Sequence, residues 1–146
     1  MIRGFWPRLA IVVILVFSGC DRISGSVAAN RGYQSYLDRK YSQAIEAYEE
    51  ARANLPDNPV IERNLAFAYL ASARDETSKV KAKPALDKAI TLLTDLIQKF
   101  PKEVELLGIL IDAWEQGDYL EKAIQFFRNR LAQNPNDVDG LRAIAV

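Results

Sequence analysis

Apolar positions recur at helical spacing in three stretches of this chain. YSQAIEAYEEARANL sets Tyr41, Ala44, Ile45, Tyr48, Ala51 and Leu55 on one face. ALDKAITLLTDLIQKF repeats the pattern with Leu86, Ala89, Ile90, Leu93, Ile97 and Phe100, and LEKAIQFFRNRLAQN with Leu120, Ala123, Ile124, Phe127 and Leu131. Each stretch closes near a proline, Pro56, Pro101 or Pro135, and proline shortly after a helix is a stop signal. The pattern predicts amphipathic helices separated by short turns.

A different pattern precedes them. Leu9 to Phe17 is an unbroken apolar run, with Arg3 and Arg8 before it and the small residues Ser18 and Gly19 after it. A positive zone, a short apolar zone and small residues at a cut site predict a secretory signal over residues 1–19. The run is too short for a bilayer span, which takes ~20 residues. A single-pass anchor would have to recruit Phe5, Trp6 and Ser18 across Arg8, and ranks second. Residues 20–26 then read as Cys20 and a short polar tether, DRISGS, which would reach about 20 Å if extended.

The helical stretches share one phase. Gly32 to Ala44 is 12 residues, followed by steps of 4 to Tyr48, 3 to Ala51 and 5 to Pro56. Ile111 to Ala123 is also 12, with the same steps to Phe127, Arg130 and Pro135. Ala66 to Ala89 is 23, or 12 plus 11, and the steps of 4, 3 and 5 then lead to Leu93, Leu96 and Pro101. From Pro101 to Pro135 is 34 residues, and from Pro56 to Pro101 is 45, or 34 plus 11. A helix–turn–helix period of 34 marks one class of repeat protein.

On these residues the chain resembles the tetratricopeptide repeat family over about residues 26–135. The fold expected is all-α, a helix–turn–helix solenoid of three repeats over residues 27–135, with residues 136–146 as a C-terminal capping helix. Gly32 and Ala44 would let paired helices approach, with Tyr48 filling the space behind them. The third unit departs from the pattern with Ile111 at a small-residue position and Arg130 at an alanine position. The second carries eleven extra residues around RDETSKVKAK (74–83), read as a solvated loop in which Lys79, Lys81 and Lys83 precede Pro84 at the first turn of the next helix. A basic loop touching a partner or anionic headgroups is the competing reading.

The segment ending at Phe17, Ser18, Gly19 and Cys20 resembles a bacterial lipobox, with phenylalanine where leucine is usual. The resemblance implies a diacylglycerol on Cys20, palmitate-type acyl chains, and cleavage that leaves Cys20 first. Such chains contribute about 0.8 kcal/mol per buried CH₂. Asp21 resembles the retention signal of enteric-type inner-membrane lipoproteins. The location implied is a bacterial membrane on its periplasmic side, the inner membrane slightly favoured.

Composition narrows the chemistry. The chain has 146 residues, one cysteine and no histidine, so serine triads, internal disulfides and Cys/His zinc sites are excluded. The seven glycines form no phosphate loop, and a formal net charge of zero gives no field favouring nucleic acid. From Cys20 onward, 17 basic residues face 19 acidic ones. Asp112 and Glu115 share a helix face and could serve as an acid–base pair, but their spacing fits a solvated face. No catalytic residue, metal or cofactor is expected.

What the family resemblance implies is binding, with the first helix of each pair lining a groove. By phase the groove residues are Tyr33, Tyr36 and Leu37 in the first unit, Arg63, Phe67 and Leu70 in the second, and Glu105, Asp112 and Glu115 in the third. Only Arg63 and Asn64 resemble the carboxylate clamp found in some members, so that specificity does not carry over. An apolar anchor flanked by basic residues would suit such a groove. The reading that follows is a non-catalytic, lipid-anchored adaptor holding one or more envelope proteins or peptides during assembly. The alternative is an accessory structural subunit of a membrane-bound enzyme complex.

Overall fold

The computed structural model describes residues 6–101 and 103–138, with side chains from Asp21 onward. It is all-α: α1 (Trp6–Leu37), α2 (Tyr41–Asn54), α3 (Pro59–Asp75), α4 (Lys79–Lys99), α5 (Val104–Gln116) and α6 (Leu120–Gln133). The chain forms two compact units, Met1–Asp75 and Glu76–Val146. The boundary falls inside the second of the sequence repeats. In the first unit α1 packs along α2 and α2 along α3; in the second α4 packs on α5 and α5 on α6.

The prolines punctuate as expected. Leu55, Phe100 and Asn134 each stand directly before a proline and take φ of −130°, −129° and −137°. The following pyrrolidine ring excludes helical backbone from its predecessor, so three helices end at one phase. The turns within the pairs also coincide. Arg39 and Asp118 have φ of 61° and 55°, and they lie 79 residues apart, as do Ala44 and Ala123.

The middle repeat lacks this turn, and its sequence says why. Pro84 stands 45 residues after Arg39 and 34 before Asp118, at the position where the other two repeats need positive φ. Proline is locked near −65° and cannot supply it. The chain turns earlier instead, at Glu76–Ser78, and α4 runs through Pro84. The eleven extra residues are therefore helix, not loop. α3 has 17 residues against 13 in α5, and α4 has 21 against 14 in α6. This corrects both the expected loop at 74–83 and the expected place of Pro84 in a first turn.

Residues 21–26 also differ from expectation. They are not an extended tether but the continuation of α1. Gly25 is buried against α2: a Cβ there would lie 2.6 Å from Leu55 Cγ and 3.1 Å from Asn54 Cβ. Gly32, two turns on, has the role the sequence assigns it. A Cβ at Gly32 would lie 2.8 Å from Cδ1 of Tyr48, whose side chain is fully buried. Ala28 sits between them, packed with Ala51 and Ile61. Asn58 caps α3, its Oδ1 accepting from Val60 N at 3.0 Å and Ile61 N at 3.4 Å, with Pro59 as the first helical residue.

The second unit buries Leu93 and Leu96 from α4, and Leu106, Leu110 and Trp114 from α5. Phe127 is the buried residue of α6; its ring lies 6.0 Å from that of Trp114 and 5.4 Å from that of Phe126. Arg130, the residue departing from the family's alanine, pairs its Nε with Asp137 Oδ2 at 2.7 Å, and Asp137 is buried. Two expected face residues, Phe100 and Leu120, lie at helix ends and are exposed. Val138 has helical backbone; the rest of the expected capping helix lies outside the described residues.

Glycines at helix crossings and glycines in open space should respond oppositely to a side chain. Gly32→Val should cost the first unit about 2–3 kcal/mol, because the buried Tyr48 ring must move. A Cβ at Gly108 meets nothing within 4 Å. Gly108→Ala should therefore stabilise α5 by about 0.5–1 kcal/mol. Urea denaturation followed by circular dichroism checks both signs.

Candidate functional site

The first unit carries the aromatic end of the expected groove on α1 and α3. Tyr33 and Leu37, one turn apart on α1, are 49% and 56% exposed. Tyr36 is half-buried and meets Tyr41 edge-on across the α1–α2 turn, with centroids 5.7 Å apart. Burial pushes the Tyr48 phenol up to about 12, with a further contribution from Tyr33 and Tyr36. On α3, Arg63 and Phe67 are half-buried. Leu70 is 3% exposed and belongs to the core, so it offers no surface to a ligand. Helical phase alone placed it on the groove.

Val60, 63% exposed at the start of α3, was not among the candidates. It precedes Arg63 and Phe67 by three and seven residues, a spacing that would have revealed it. Behind this surface α2 holds the unit by polar contacts. Glu50 pairs with Arg31 of α1, and Glu49 pairs with Arg52 and accepts a 3.0 Å hydrogen bond from Tyr69 of α3.

In the second unit Glu105, Asp112 and Glu115 all lie on the exposed side of α5, opposite Leu106, Leu110 and Trp114. Gly108 stands between Glu105 and Asp112 on the same side. The result is a solvated acidic stripe on one helix. Among the described residues no group of three or more Cys, Asp or Glu could hold a metal ion.

The three lysines of the middle repeat lie in the first turns of α4. Lys79 Nζ reaches Asp118 Oδ2 at 2.9 Å, and Lys83 Nζ sits 5.6 Å from the centroid of the Tyr119 ring. Lys122 covers the same ring at 4.0 Å and bonds Asp87 Oδ1 at 3.1 Å. Much of the basic charge is thus taken up inside the unit, and a protruding basic loop does not form. The Tyr119 hydroxyl is buried beside Asp87 short of full hydrogen-bond geometry. Burial and the neighbouring carboxylate push it up to about 12. Burial would raise Asp87, but Tyr119, Lys122 and Lys83 outweigh it and hold the carboxyl below its ordinary 3.8.

A cavity of about 480 Å³ opens between the C-terminal ends of α4 and α6, bordered by Ile97, Phe126, Arg130 and Asp137. Cys20 lies within α1, but the side chain expected to carry the lipid is outside the described part of the structure; Asp21 is exposed in the next position.

No protein-family model matches the chain, and no curated protein matches it. Among solved structures, the chain is similar to the TPR domain of Arabidopsis OM64. The TM-score is 0.56 at 19% identity, covering 86% of this chain and 94% of that one. The likeness shows the fold, a tetratricopeptide-type helical repeat.

The Asp87 carboxyl should act as a stabilising ion near neutral pH. Its folded value lies below the unfolded one, so the contribution is complete above 3.8 and is lost as pH falls through the folded value. Asp87→Asn should cost about 0.5 kcal/mol at pH 7, as expected for a solvent-screened pair. The difference from the parent protein should close on acidification, as read by urea midpoints across pH.

Proposed function

We propose that this chain is a non-catalytic interaction scaffold, anchored through lipid on Cys20 to the periplasmic side of a bacterial membrane, where it holds envelope proteins during assembly. One observation carries the reading: the lipobox-like sequence leads into the helical-repeat domain without a break in the helix, α1 running from Trp6 through Cys20 to Leu37. The repeat fold supports protein binding, because stacked helix pairs expose side chains along a surface rather than enclosing a reaction centre. The absence of histidine from the sequence supports a non-catalytic role. Asp21, next to the anchor, favours retention in the inner membrane. Tyr33 and Leu37 of α1 and Phe67 of α3 are the contacts proposed for an apolar segment of the partner. On the second unit, the acidic stripe Glu105, Asp112 and Glu115 would favour a partner segment that carries basic residues.

Two experiments test this separately. Cys20→Ser should abolish incorporation of radiolabelled palmitate and leave an uncut precursor; unchanged processing would remove the anchor from the reading. A photo-reactive amino acid at Tyr33 should cross-link to a discrete envelope protein in living cells. The cross-link should weaken about tenfold when Phe67→Ala is added, as for loss of a central aromatic contact. A product no different from that of a probe at Lys81 would remove the groove.

A further inference from the structure

The start of α1 bears on how the first unit stands at the membrane, given the proposed lipid on Cys20. Gly25 lies five residues after Cys20, about 8 Å along a helix at 1.5 Å per residue. Gly25 is in turn packed against Asn54 and Leu55 at the end of α2. The turn from α2 to α3, Leu55–Asn58, is therefore fixed within about two helical turns of the anchored residue, with no flexible chain between.

A second observation concerns the opposite side of the same helix. Ile23 and Val27, one turn apart, are 69% and 63% exposed. They point away from the face that carries Gly25, Ala28 and Gly32. They follow Cys20 by three and seven residues, which places them about 5 and 11 Å along the helix from it. Helices that lie in the membrane plane bury their apolar face about 5–10 Å into the headgroup–acyl boundary, and the same layer is open to apolar side chains carried this close to the anchored Cys20. Ser26, between them in sequence, donates its hydroxyl to Arg22 O at 2.9 Å and so enters such a layer with its proton already bonded. Arg22, exposed in the same turn, suits lipid phosphates.

We infer that Ile23 and Val27 rest in the interfacial layer of the bilayer, holding the first unit rigidly with its α2–α3 turn against the lipid and its α1–α2 turn directed into the aqueous phase. The anchor supplies attachment, and these two side chains supply orientation.

The test uses the full lipidated chain in vesicles of phosphatidylethanolamine and phosphatidylglycerol. Acylation of Cys20 is verified by mass, and single nitroxide labels are placed through Ile23→Cys, Val27→Cys, Ala53→Cys and Asp38→Cys, all exposed positions. Labels at 23 and 27 should favour oxygen over a nickel chelate as relaxing agent, the label at 53 should report the headgroup level, and that at 38 bulk water. A paired change, Ile23→Asn with Val27→Asn, should leave the protein acylated and membrane-bound while the label at 53 gains mobility and moves to water. Water-like behaviour at 23 and 27 in acylated protein would overturn the inference and leave the anchor intact. Spin–spin broadening at 27 without a depth signal would assign the face to a second copy and overturn it too. Protein that is not acylated and washes off the vesicles would overturn the anchor and the inference together.

Discussion

The first unit depends on how closely α1 can lie against α2. Gly25, Ala28 and Gly32 recur at spacings of three and four, and their common side has almost no side-chain volume. Ala51 and Tyr48 of α2 and Leu55 just beyond its end fill it, and the glycine hydrogens touch where a methyl would collide. This contact sets the crossing of the pair, which in turn lets Tyr48 bury its ring and brings α3 within reach of both helices. Glycine inside a helix costs about 1 kcal/mol in propensity. Burying one large side chain against it returns roughly 1.5–3 kcal/mol.

Punctuation in this chain is as informative as its apolar faces. A proline ends three helices at the same phase by restricting the residue before it. A positive-φ residue turns the chain inside the first and third repeats. In the middle repeat a proline occupies that turn position, and the two demands are incompatible. The chain resolves the conflict by turning earlier and lengthening both helices, and the boundary between its two compact units falls at this displaced turn.

Much of this was legible in the sequence. The repeat phase and the helix stops follow from spacing, because a 34-residue period constrains every element at once, and the roles of Gly32, Ala44 and Tyr48 follow from the family resemblance. Three features were not. The lysines around 79–83 look like a loop when counted as charge, yet Ala82 and Leu86 already follow a buried helical spacing that continues to Ala89 and Leu93. Residues 21–26 look like a tether because serine and glycine suggest flexibility, but Gly25 is there for close approach. Leu70 falls on the groove by phase, although its burial depends on neighbours that phase does not describe. Arg130 illustrates the converse: a departure from the repeat pattern that becomes intelligible once Asp137 is seen beside it.

Pairing of neighbours along the chain also shapes how the molecule acquires its structure. Within each unit the helices pack on those adjacent in sequence, so few contacts wait for distant segments to arrive. Low contact order of this kind favours fast folding. The residues of the first unit all precede Glu76, so a chain released from its N-terminus can complete that unit while the second is still emerging. The turn at Glu76–Ser78 then divides the chain by order of synthesis as well as by contacts.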